Sequence, residues 1–138
     1  MSSNAQRATA ASAYVEQEVR TADPLRLVVK VYDVAVAQVG QARAALSAGD
    51  PSGKARAVDR LSRCLGVLQE SLDMEQGADV AKNLDRLYGY LQRRLTEAHL
   101  RNDDRAFEEI AGHLQELGSA WRTAASSRAL EAEADVAR

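Results

Sequence analysis

The chain has 138 residues, 46% apolar and 28% charged, with a formal net charge of −2. That length suits one domain with a single core and is short for two. The near-balanced charge excludes the basic excess of a dedicated nucleic-acid binder.

Residues 1–12 are small and polar without an apolar period and are expected to be disordered. Tyr14, Val15 and Val19 follow, ahead of the first helix-start signal, so 13–22 reads as a short capping or docking segment. The opening residues lack the apolar centre of a signal peptide, and nothing later approaches the roughly 18 apolar residues of a membrane span. A reducing cytoplasm is the expected location, without membrane insertion. Asp23-Pro24 starts a helix: the carboxylate accepts from free first-turn N–H groups, and Pro loses nothing at the first helical position. This helix is expected to reach Ala48, with Gly49 ending it through a left-handed backbone. Asp50-Pro51 repeats the signal and opens a second helix to about Met74, its apolar positions Val58, Leu61, Leu65, Leu68 and Leu72 spaced 3 and 4 apart. After a turn at 75–79, a third helix spans about Asp79–Arg101 on Val80, Leu84, Leu87, Leu91 and Leu95. "NDD" (102–104) stops it and caps a fourth, about Asp104–Ala124, carried by Phe107, Ile110, Leu114, Leu117 and Trp121. Residues 125–138 read as a flexible or frayed helical tail. The expected fold is all-α: an antiparallel up-down four-helix bundle over 13–124, with the short N-terminal cap at 13–22.

The first helix carries more apolar surface than a bundle seat requires. Leu25, Val28, Tyr32, Ala35, Val39, Ala42 and Leu46 form a 3,4-spaced seam. Leu27, Val31 and Val34 form a second row to one side, and Val29 and Val36 a third to the other. The apolar arc is roughly 220° wide, against about 100° for an ordinary surface helix. Either neighbours cover both side rows, or one row is kept for a partner, since large exposed apolar patches mark interaction sites. A movable segment at Tyr14–Val19 would reconcile the two.

"AYVEQEVRTADPLRLVVKVYDVAV" (13–36) and "SLDMEQGADVAKNLDRLYGYLQRRLTEAHLRNDDRAFEEIAGHLQELGSAWR" (71–122) resemble the flagellin-specific export chaperones, the FliS family. The match lies in the family's Ala-Tyr, Thr-Ala-Ser-Pro and Leu-Tyr-Asp-Gly series, then Ser-Leu-Asp, Gly-Gly, Asn-Leu-x-x-Leu-Tyr-x-Tyr, Arg-Arg-Leu and Ala-Trp. Departures are Asp23 for Ser, Val34 for Gly, Ala78 for the second Gly and His99 for Asn. The resemblance implies a cytoplasmic chaperone that binds the unfolded C-terminal segment of flagellin. Such a chaperone prevents premature filament assembly and aids delivery to the flagellar type III export apparatus, a further expected partner. It also implies that the N-terminal segment caps the apolar site. The contact residues expected are Tyr14, Val19, Leu27, Val31, Tyr32, Val34, Asn83, Leu87 and Tyr88, with core packing the competing role for Tyr88. Monomer and homodimer both stay open.

Other chemistry finds little footing. Glu97–His99 and Glu109–His113 lack the Glu-x-x-His spacing of a carboxylate-bridged metal bundle. There is no Gly-rich phosphate loop, zinc-type Cys/His cluster or Ser/His/Asp arrangement, so no cofactor, metal or catalytic residue is expected. Cys64 is the single cysteine and reads as a packing residue. The basic flank Lys82, Arg86, Arg93 and Arg94 is interleaved with Asp85 and Glu97 and reads as solvated, paired charge. The alternative function is a helical adaptor or dimerisation module unrelated to flagellin.

Overall fold

The computed structural model describes residues 24–75 and 77–136. Expectations for residues 1–23, including the Asp23 cap, Tyr14 and Val19, lie outside the described residues. Four helices follow in order: α1 (Pro24–Ser47), α2 (Pro51–Glu70), α3 (Ala78–Arg101) and α4 (Asp104–Val136).

The turns follow the capping chemistry closely. Gly49 adopts φ +68°, which lets Asp50 N–H reach the Ala45 carbonyl at 2.9 Å and Gly49 N–H the Leu46 carbonyl at 3.2 Å. The Asp50 carboxylate then caps α2 by accepting from Gly53 N–H at 3.0 Å. At the α3–α4 junction, Asn102 takes φ +50°, and Asp103 Oδ1 accepts from the N–H groups of Arg105 and Ala106. Asp103 thus supplies the cap for α4.

Two boundaries differ from the sequence expectation. α2 ends at Glu70, short of Met74. Ser71 closes it early: its hydroxyl donates to the Leu68 carbonyl at 2.7 Å, taking an acceptor the next turn would have used. α4 continues well past Ala124 to Val136, since 125–136 contain no Gly or Pro and are rich in Ala, the residue that favours helix most.

The core is the 3,4-spaced seam of each helix. Tyr32, Ala35, Val39 and Ala42 meet Ala57, Leu61, Leu65 and Leu68; facing them are Tyr88, Leu91, Leu95 and Ala98, and then Phe107, Ile110 and Leu114. α1 packs against α2 and α4, and α3 packs against the same two, so α1 and α3 face each other across the bundle diagonal. Cys64 is half-buried at the core margin, where burial pushes its thiol pKa up and favours the neutral form. Trp121 packs at the core edge near the open end.

A candidate partner-docking surface

α1 has two flanks, and polar bonds identify the first. Arg122 donates to Asp33 at 2.5 Å, and Arg43 forks onto both carboxylate oxygens of Asp104 at 2.9 and 3.1 Å. These bonds turn Asp33 and Arg43 toward α4. Leu27, Val31, Val34, Gln38 and Ala45 recur at helical spacing on the other flank. That flank faces α2: the Ala45 methyl lies 3.4 Å from where a Cβ on Gly53 would stand. Val34 is 49% exposed. Leu27 and Val31 are part-exposed, and Val31 rests one edge on the core. The side row is therefore neither sealed nor stripped from the bundle.

α2 completes the strip. Its bonds to α3, Ser62 to Gln92 at 2.9 Å and Gln69 to Asp85 at 3.2 Å, fix the flank turned away from α1. Val67 lies about 160° around the helix from Gln69, on the edge toward α1, and is 50% exposed. Arg56 and Arg60 continue that edge and are exposed. The result is an apolar strip of Leu27, Val31, Val34 and Val67 with a basic margin on α2.

At the open end of the bundle lies an apolar recess of about 250 Å³, lined by Pro24, Leu25, Val28, Leu72, Val80, Leu84, Tyr88 and Trp121 among others. Val80 and Met74 beside it are exposed. The connection forming its rim is tight at Gly77, where any Cβ would stand 2.7 Å from the Asp73 carbonyl oxygen and 2.6 Å from the Ala81 methyl. Ala78 takes φ +47°, a left-handed backbone that favours glycine. In this chain Gly77 is thus required for space, while Ala78 occupies a backbone angle that favours glycine.

The residues singled out from sequence separate into three places. Leu27, Val31 and Val34 share the α1–α2 strip. Tyr32 and Tyr88 are each only 1% exposed; their hydroxyls meet at 2.5 Å across the diagonal. In the folded bundle both are core, as the 3,4-spaced seam implied for Tyr32 and the competing role for Tyr88, with Tyr88 reaching the recess. Burial, then the Tyr88 bond, raise the Tyr32 pKa, and burial raises that of Tyr88, so both stay protonated. Asn83 and Leu87 lie on the α3 flank that carries Arg94 toward α4 and do not join the strip. Asn83 is exposed and Leu87 packs on the core margin. Sequence reasoning missed Val67 and Gln38. Val67 sits off the Leu61–Leu65–Leu68 seam, the same signal that marked the side row of α1.

The α3–α4 flank is built from different chemistry. Tyr90 Oη donates to Glu109 at 2.7 Å, Arg94 Nε donates to the second Glu109 oxygen at 2.7 Å, and Arg94 also bonds Glu97 at 2.9 Å. The Tyr90 bond first, then Arg94, hold the Glu109 pKa below its ordinary value. Arg94 is thus paired, as the interleaved charge of that helix implied.

No group of three or more His, Cys, Asp or Glu among the described residues is placed to hold a metal ion, and no described helix is long and apolar enough to cross a membrane. The fold and the strip define an all-α up-down bundle with an open apolar flank. Comparison with known proteins gives that class a family. The family model described as flagellar protein FliS matches residues 6–128, and the chain belongs to that family. It is 38% identical over 112 residues to the flagellar secretion chaperone FliS of Salmonella typhimurium, covering 78% of this chain and 81% of the relative. It is 35% identical over 107 residues to the flagellar secretion chaperone FliSB of Pseudomonas aeruginosa, covering 78% and 85%. The Bacillus subtilis flagellar secretion chaperone FliS is 25% identical over 117 residues, covering 84% and 86%.

Proposed function

We infer that this protein is a cytoplasmic export chaperone whose α1–α2 strip holds the unfolded C-terminal segment of flagellin as an amphipathic helix. This would keep the client from polymerising and aid its delivery to the flagellar type III export apparatus. The family and the names of its relatives support the class of activity. The observation that carries the docking surface is that none of Leu27, Val31 and Val34 is among the buried core residues: Val34 is exposed, and Leu27 and Val31 are only partly covered.

The mode is helix-in-groove recognition. Each Leu or Val of the client that is well buried contributes on the order of 1.5–3 kcal/mol. Ordering an unfolded segment costs about 2–5 kcal/mol. Several anchors must act together, which suits a strip several helical turns long better than a single pocket. The capping segment with Tyr14 and Val19 is proposed to compete for this apolar surface. Pro24, where α1 starts, lines the apolar recess.

Coexpression with flagellin tests the function. The chaperone co-purifies with full-length flagellin and loses it when the client's C-terminal segment is deleted. Undiminished capture of the truncated client would refute the reading.

A further inference from the structure

Gln38 lies one turn beyond Val34 on the same flank of α1. It is 8% exposed, and its amide oxygen is shielded from solvent with no hydrogen-bond partner among the described residues. A buried acceptor without a donor raises the free energy of the folded protein, and an apolar side chain of similar length would remove that cost. The neighbours on the flank, Val31 and Val34, are apolar and offer no donor. Gln has three rotatable side-chain bonds, enough to swing the amide toward the exposed strip.

We propose that Gln38 is a specificity-determining residue of the docking strip, its amide oxygen accepting a hydrogen bond from a side-chain N–H or O–H on the apolar face of the bound helix. The inference rests on flagellin's C-terminal segment being the occupant. Charge complementarity adds a second requirement. Arg56 and Arg60 edge the strip and are exposed, so the bound helix carries Asp or Glu beside its apolar face. A site holding an unpartnered amide at this point favours a helix that supplies a donor, because a purely aliphatic helix leaves the oxygen as unsatisfied as it is in the free protein.

The test uses the full chain and the flagellin C-terminal segment as the probe, with Gln38→Met keeping the side-chain length and removing the amide. Thermal melting and titration calorimetry are run on both proteins. The expected result is a higher melting midpoint for the variant together with a Kd weakened about tenfold, the loss of one buried hydrogen bond. Gln38→Leu repeats the measurement should the thioether fail to pack. A Kd within twofold of wild type, or a tighter one, overturns the proposal and leaves Gln38 a core defect. A midpoint that does not rise also overturns it, because the amide then has a partner in the free protein. Failure of the function reading is distinguishable: wild type itself would then show no binding of the segment.

Discussion

The two outer flanks of the bundle have opposite designs. The α3–α4 flank is tied by Tyr90, Arg94, Glu97 and Glu109, each polar group meeting another. The α1–α2 flank is closed by small and apolar side chains and leaves Leu27, Val31, Val34 and Val67 partly in water. A polar lattice satisfies itself and offers little to an apolar guest, whereas an apolar strip gains from any partner that removes it from water. On the proposed function, the asymmetry lets one small bundle keep a stable core and present a docking face.

Breaking the apolar flank should have the largest effect. Val31→Asp places a carboxylate where a client helix would bury it unpaired, which costs several kcal/mol. We expect flagellin binding to weaken by about 100-fold or more, with helicity by circular dichroism unchanged because Val31 is only partly covered. Loss of the fold would assign the row to the core instead.

The tie between the halves is next. Tyr88→Phe removes the Tyr32 hydroxyl's bond to Tyr88, leaving Trp121 as its remaining partner, and should cost about 1 kcal/mol in urea unfolding. Adding Tyr32→Phe should recover much of that, since both polar ends are then gone. Equal and additive losses would show that the 2.5 Å bond contributes nothing.

A smaller effect lies at the rim of the recess. Ala78→Gly relieves a left-handed backbone and should stabilise the protein by about 1 kcal/mol, read as a raised melting midpoint. A lowered midpoint would mean the methyl makes contacts that outweigh the backbone angle.

The smallest effect belongs to the polar flank. Glu109 has a folded pKa below its ordinary value of 4.5, so its contribution to stability is present above the unfolded pKa and fades as pH falls through the folded one. Glu109→Gln should therefore flatten the acid limb of the stability–pH curve below about pH 4.5 while leaving client affinity unchanged. Weakened client binding by this variant would erase the contrast between the flanks.

The four helices were legible because capping signals are local: Asp50-Pro51, Gly49 and Asn102-Asp103 each act on the neighbouring turn. The end of α2 was not, because one hydroxyl, that of Ser71, captured a carbonyl that the apolar spacing had assigned to a longer helix. The extension of α4, read from sequence as a flexible or frayed helical tail, was left open for a different reason. Residues 125–136 lack a core-facing stripe, but helix propensity needs none. In the docking surface, the row Leu27–Val31–Val34 could be read from periodicity on one helix. Its partner Val67 and the side on which Asn83 and Leu87 lie depend on how helices are ordered around the bundle, which one helix's pattern does not contain. Tyr32 and Tyr88 fitted a motif for contact residues, yet their hydroxyls satisfy each other inside, which lets two polar aromatics serve as core.

Methyl-resolved NMR of the chaperone titrated with the flagellin C-terminal segment tests the central claim most directly. Saturable shifts concentrated at Leu27, Val31, Val34 and Val67, with Leu87 on the α3 flank unmoved, are the predicted result. Shifts concentrated at Leu87 and its neighbours, with the α1–α2 methyls silent, would contradict it.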